Sequence, residues 1–233
     1  MSGRVVVHRH HGHALMGVLT VFLAVVIAFL LVVVGEVAFE RIGFNSLEFT
    51  LILLGTLVGS TINVPVARAR RAEPIQEVQE VRVFGLYYRI PQVSYREIST
   101  VIAVNLGGAV IPVLVSAYLL AGHLGLLWEA VAGSLVTAIL VHLMARKVKG
   151  AGIVTPAFIP PLSAAVIAYI LAPGSPAIVA YVSGTMGALV GADLTNLGGI
   201  TELGAPVVSI GGAGTFDGVF LTGLVAVLLA PLL

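Results

Sequence analysis

The chain has 233 residues, of which 58% are hydrophobic and 10% charged, with a net charge of +1 and no cysteine. A soluble domain carries roughly 25% charged residues, so a water-exposed globule is excluded and a bilayer is the expected surroundings. The near-neutral balance gives no footing for nucleic acid, and the missing cysteines exclude disulfides and thiolate chemistry.

In chain order, the hydropathy pattern predicts seven transmembrane helices: Ala14–Gly35, Leu47–Ala67, Ile98–Leu120, Leu126–Ala145, Ile153–Leu171, Pro176–Leu194 and Thr215–Leu232. Gly150–Ala192 and Gly218–Leu233 contain no charged residue, and about 20 apolar residues cross a hydrocarbon core. The expected fold is therefore all-α, a polytopic bundle forming one membrane domain over 1–233. The first apolar stretch is too long for a signal-peptide core and is read as a retained helix. Ahead of it, His8, His10, His11 and His13 are read as a solvated tail rather than a metal site. No cofactor is expected.

Basic residues concentrate in cytoplasmic loops. Arg68, Arg70, Arg71, Arg82, Arg89 and Arg96 fill the second loop, and Arg146, Lys147 and Lys149 the fourth. A cytoplasmic amino terminus and an outer carboxyl terminus put eleven of the twelve basic residues inside. The second loop, 68–97, is the one sizeable soluble piece. Within it, Glu77–Gln92 alternates Val78, Glu80 and Arg82 around Gly85, the pattern of a small β-hairpin on the membrane surface.

A carboxylate within a membrane segment is costly and points to function. Asp193 (GALVGADLTN) ends the sixth predicted helix, and Asp217 (GTFDG) begins the seventh. At 1.5 Å per residue Asp193 lies about 26 Å from Pro176, and Asp217 about 24 Å from Leu233. Antiparallel neighbours would thus carry both to a similar depth near the cytoplasmic side. Asp217 sits where a helix N-terminus stabilises an anion, so capping alone would explain it. Asp193 sits near a helix C-terminus, where the dipole disfavours an anion; it is exposed, protonated or partnered. Two close carboxyls share a proton and can divide acid and base work, or hold a cation or relay protons.

Asn63, Asn105, His142 and Asn196 are expected at the same level, as interhelical hydrogen bonds or as the wall of a shared polar cavity. The Gly-rich segment Leu194–Gly214 has the look of a re-entrant loop, tolerated where protein or a water cavity satisfies its backbone. Its Gly211, Gly212 and Gly214 would admit a substrate strand, and its Glu202 is either solvated or a further oxygen ligand beside the aspartates.

The runs NLGGAVIP (Asn105–Pro112), GADLTNL (Gly191–Leu197) and GAPVVSIGGAGTFDGVFLTG (Gly204–Gly223) resemble an uncharacterised prokaryotic membrane family, the domain of unknown function 1614. That resemblance implies a membrane protein and no particular activity. Ala192-Asp193 and GAGTFDG (Gly212–Gly218) are also similar to the two aspartate motifs of presenilin-like intramembrane aspartyl proteases, with Ala in place of Tyr in the first and two residues between Gly214 and Asp217 in the second. The latter resemblance implies a catalytic dyad of Asp193 and Asp217 acting on a transmembrane peptide. Three readings stand: that hydrolase, a proton- or cation-coupled transporter or channel using the same carboxylates, and a noncatalytic scaffold. The lipid bilayer is a partner in each.

Overall fold

The computed structural model describes residues 11–83, 86–148, 152–203, 206–212 and 218–233. Seven α-helices lie in these segments: α1 His11–Arg41, α2 Ser46–Gly59, α3 Ile111–Gly122, α4 Leu127–Met144, α5 Ile159–Leu171, α6 Pro176–Ala188 and α7 Gly218–Leu229. Five strands accompany them: β1 Asn63–Val83, β2 Leu86–Asn105, β3 Arg146–Val148, β4 Gly152–Val154 and β5 Val207–Ile210.

The all-α expectation is therefore wrong, and so is the count of spans. Among the described residues, three helical stretches are long and apolar enough to cross a membrane: Leu19–Arg41, Leu124–Met144 and Pro176–Gly199. Four others, Ser46–Gly59, Leu106–Gly122, Ile159–Leu171 and Gly218–Leu232, are apolar but run to 17 residues or fewer, short of the roughly 20 that a hydrocarbon core requires. The second and third predicted helices lose their inner ends to β-structure. Asn63–Ala67 belongs to β1, and Ile98–Asn105 to β2. Thr100, Val101, Ile102 and Val104 supply the reason. β-Branched side chains lose little freedom in a strand and more in a helix.

The small hairpin expected over Glu77–Gln92 is the far end of a much longer ribbon. β1 and β2 pair antiparallel from Asn63↔Asn105 to Val83↔Leu86, with a bulge between Pro65 and Ala67. Strands of 21 and 20 residues reach about 65 Å at 3.3 Å per residue. Most described side chains of the ribbon are exposed, Val93 and Tyr95 at 63% and 71% among them. β2 continues the sheet at its base, where Val101–Val104 pairs in parallel with Val207–Ile210 of β5.

The helices hold the core. α6 is buried along nearly its whole length, as a helix apolar on every side must be. Phe39 of α1 lies 5.1 Å from Phe49, 5.8 Å from Tyr181 and 6.0 Å from Phe220, ring centre to ring centre, so one aromatic cluster joins α1, α2, α6 and α7. In α1, Met16 and the residues from Leu19 to Val25 stand exposed. This mostly apolar run suits lipid rather than water.

Candidate functional site

The site forms where two helices lose regularity. Between β2 and α3 the chain makes a π-helical turn, Leu106–Val110, and after α6 a second one, Leu189–Asp193. Such turns widen the helix by one residue and release backbone groups that side chains must then satisfy. The second turn runs into a 3-10 segment, Leu194–Leu203, and β5 follows. The expected re-entrant loop over Leu194–Gly214 thus contains a tight helix and a strand.

Asn105 closes β2 and caps the first turn. Its Oδ1 accepts from the Gly108 amide at 2.8 Å, while its Nδ2 donates to the Ser60 carbonyl at 2.7 Å and to Asn63 Oδ1 at 3.1 Å. The Ser209 hydroxyl on β5 donates to the same Asn63 oxygen at 2.5 Å. One asparagine pair therefore stitches β1, β2, β5 and the entry to α3. With three bonds made and 1% of its surface exposed, Asn105 is committed to holding backbone. Asn196 likewise donates to the Gly191 and Ala192 carbonyls, at 3.2 and 2.9 Å, covering carbonyls of the second π turn.

Asp193 is the last residue of that second turn. One carboxylate oxygen, Oδ2, accepts from the Gly211 amide at 2.7 Å. The other accepts no hydrogen bond among the described residues. Gly211 has φ of +86°, a conformation open to glycine at little cost, and a Cβ there would lie 2.6 Å from the Ala109 nitrogen. Only a glycine lets β5 turn this closely over the first π turn while aiming its amide at Asp193. Gly212 follows with φ of +146°.

Of the residues singled out in the sequence, the structure thus brings Asn63, Asn105 and Gly211 to one junction with Asp193. It places Asn196 on the same turn as Asp193, where it serves its own carbonyls. Gly214 and Asp217 lie outside the described residues, as do His8 and His10. Two residues matter more than their sequence implied. Ser209 joins β5 to Asn63, and Thr195 accepts from or donates to His142 Nδ1 at 2.8 Å. A contact across 53 residues leaves no periodic trace in the chain.

The fold and site are compatible with an integral membrane protein: a body of apolar helices, a polar junction at two helix irregularities, and a β-ribbon extending from that junction. The chain belongs to the family described as "Protein of unknown function (DUF1614)", which matches residues 57–229 and so covers the ribbon, the junction and helices α3–α7. No curated protein and no solved structure matches the chain, so the likeness to presenilin-type proteases gains no support there.

Proposed function

We propose that the chain is a membrane-embedded, aspartate-dependent hydrolase of extended peptide segments, with Asp193 and Asp217 as its two carboxyls. The amino terminus faces the cytoplasm and the carboxyl terminus the outside in this reading. The observation that carries it is the Asp193–Gly211 bond. It fastens one carboxylate to the start of the segment that reaches Asp217 six residues later, and it leaves the second oxygen of Asp193 free among the described residues. β5 is an edge strand, and an extended peptide can add to such an edge through main-chain hydrogen bonds, bringing a carbonyl toward Asp193. Water then attacks the carbonyl carbon as one carboxylate takes its proton, and the other carboxyl donates a proton to the leaving amine nitrogen. The pair titrates as a unit, so neither residue is assigned one role.

The two π turns favour a second reading. Broken helices with polar groups at the break are how transporters build proton and cation sites, and Asp193 sits at such a break. Under this reading the same carboxylates carry a proton or cation.

The test takes the full chain in vesicles with a helical reporter peptide. Cleavage by the wild type, abolished in both Asp193→Asn and Asp217→Asn while the protein stays folded, is the expected result. Proton or cation flux lost in the same variants, without cleavage, would replace hydrolysis by transport. Because the chain has no cysteine, the double variant Asp193→Cys, Asp217→Cys measures proximity directly. Oxidative crosslinking requires Cα atoms within about 7 Å, and a longer bifunctional reagent covers carboxyls that meet from further apart; no crosslink with either, with both thiols reactive, would end the paired-carboxyl reading.

A further inference from the structure

α4 and α6 approach along a seam of small residues. A Cβ on Gly133 would lie 3.2 Å from Ser183 Cβ, one on Gly187 2.5 Å from Thr137 Cβ, and one on Gly191 2.9 Å from the Ala138 Cα. On the α6 side the steps fall at 183, 187 and 191, one helical turn apart. The next step is 195, and there the contact changes from packing to hydrogen bonding. Thr195 Oγ1 meets His142 Nδ1 at 2.8 Å and the Gly191 carbonyl at 2.8 Å.

A hydroxyl has one proton to give. The Gly191 oxygen can only accept, and its other side-chain partner, Asn196 Nδ2, is more distant at 3.2 Å. The imidazole can adopt either neutral tautomer. The arrangement that serves all three groups gives the Thr195 proton to Gly191 and makes His142 Nδ1–H the donor to Thr195.

We propose that His142 is a positioning residue: as the Nδ1–H tautomer it latches the end of α4 to the π turn that presents Asp193. The latch follows from the geometry alone; its importance for chemistry rests on the proposed role of Asp193. Gly191 lies two residues before Asp193, so fixing its carbonyl from both Thr195 and Asn196 fixes the turn from which Asp193 reaches the Gly211 amide. Without the imidazole, no other side-chain hydrogen bond among the described residues ties Thr195 to α4, and the seam ends one turn early.

The experiment uses the full chain in lipid nanodiscs, labelled with 15N-histidine and 15N-glycine. The His142 ring signals are identified by their loss in His142→Asn. The expected wild-type ring carries its proton on Nδ1, and Thr195→Val shifts it to Nε2. A wild-type ring protonated on Nε2, or one indifferent to Thr195→Val, overturns the latch. The Gly211 amide, held by Asp193, reads the positioning. Its exchange with solvent is expected to rise about tenfold in His142→Ala, as one lost hydrogen bond implies, and to return to within about twofold of wild type in His142→Asn, whose Nδ2–H stands where Nδ1–H stood. Unchanged protection in His142→Ala, or no rescue by His142→Asn, overturns it. Neither readout depends on cleavage. Both could come out as expected with no reporter cut, and then the latch stands while the hydrolytic reading falls.

Discussion

The helical body and the β-ribbon solve opposite problems with similar residues. In the body, glycines and alanines bring backbones together, and large side chains fill one aromatic cluster. In the ribbon, valines and tyrosines stand exposed on strands that touch little but each other. Two-stranded hairpins are marginal alone in water, and what the ribbon has is local: the Glu80–Arg89 ion pair at 2.9 Å and Arg82 lying 5.5 Å above the Tyr87 ring, both between residues in cross-strand register. Its edges are managed too. Pro65 and Pro74 in β1 and Pro91 in β2 each remove a donor, which blunts pairing with foreign strands. Close packing makes the body intolerant of change, and openness should make the ribbon tolerant.

The strongest way to break the contrast is to add bulk in the body. A Cβ on Gly107 would meet the Thr56 carbonyl and lie 2.9 Å from the Gly59 carbonyl carbon. These are backbone atoms, which cannot swing aside. Gly107→Val should lower stability by about 3 kcal/mol, a fall in melting temperature near 10 °C for a chain of this size, measurable in detergent. Gly211→Ala comes next. The positive φ and the neighbouring Ala109 nitrogen together should remove about 2 kcal/mol, and, under the hydrolytic reading, displacing the amide from Asp193 should reduce reporter cleavage as well. A variant as stable as wild type would show that the turn at Gly211 is softer than its contacts imply. In the ribbon, Glu80→Ala removes an ion pair whose side chains are 52% or more exposed. The expected change is under about 0.5 kcal/mol; a loss as large as that from Gly211→Ala would mean that the ribbon is held by more than its own cross-strand pairs.

The same contrast separates what was legible in the sequence from what was not. Long uncharged stretches such as the one within Pro176–Gly199 announce themselves, because length and composition are enough to mark them. The ends of the second and third predicted helices did not. Ile98–Val104 is a short apolar run, and such a run fits a helix end or a buried strand equally well by periodicity; its β-branched composition was the available signal. β5 is four residues long, and its pairing with β2 depends on chain folded elsewhere. At the site, Asp193 stood out because a carboxylate in apolar sequence is expensive. Its tie to Gly211, the bond between Ser209 and Asn63, and that between His142 and Thr195 join residues distant in the chain, and composition carries no record of them.

The parallel pairing of β2 with β5 has a kinetic consequence. The ribbon zips from its far end, where Val83 pairs with Leu86, through contacts between near neighbours, and such hairpins form in microseconds. Val101 and Val207, by contrast, are about a hundred residues apart, and the intervening chain, which includes α3 to α6, must be in place before they meet. Loop closure of that length is slow and late. The Asp193–Gly211 bond depends on the same meeting, so the polar junction is completed only when nearly the whole chain has been made and packed. A nascent protein would carry its ribbon early and acquire its candidate site last.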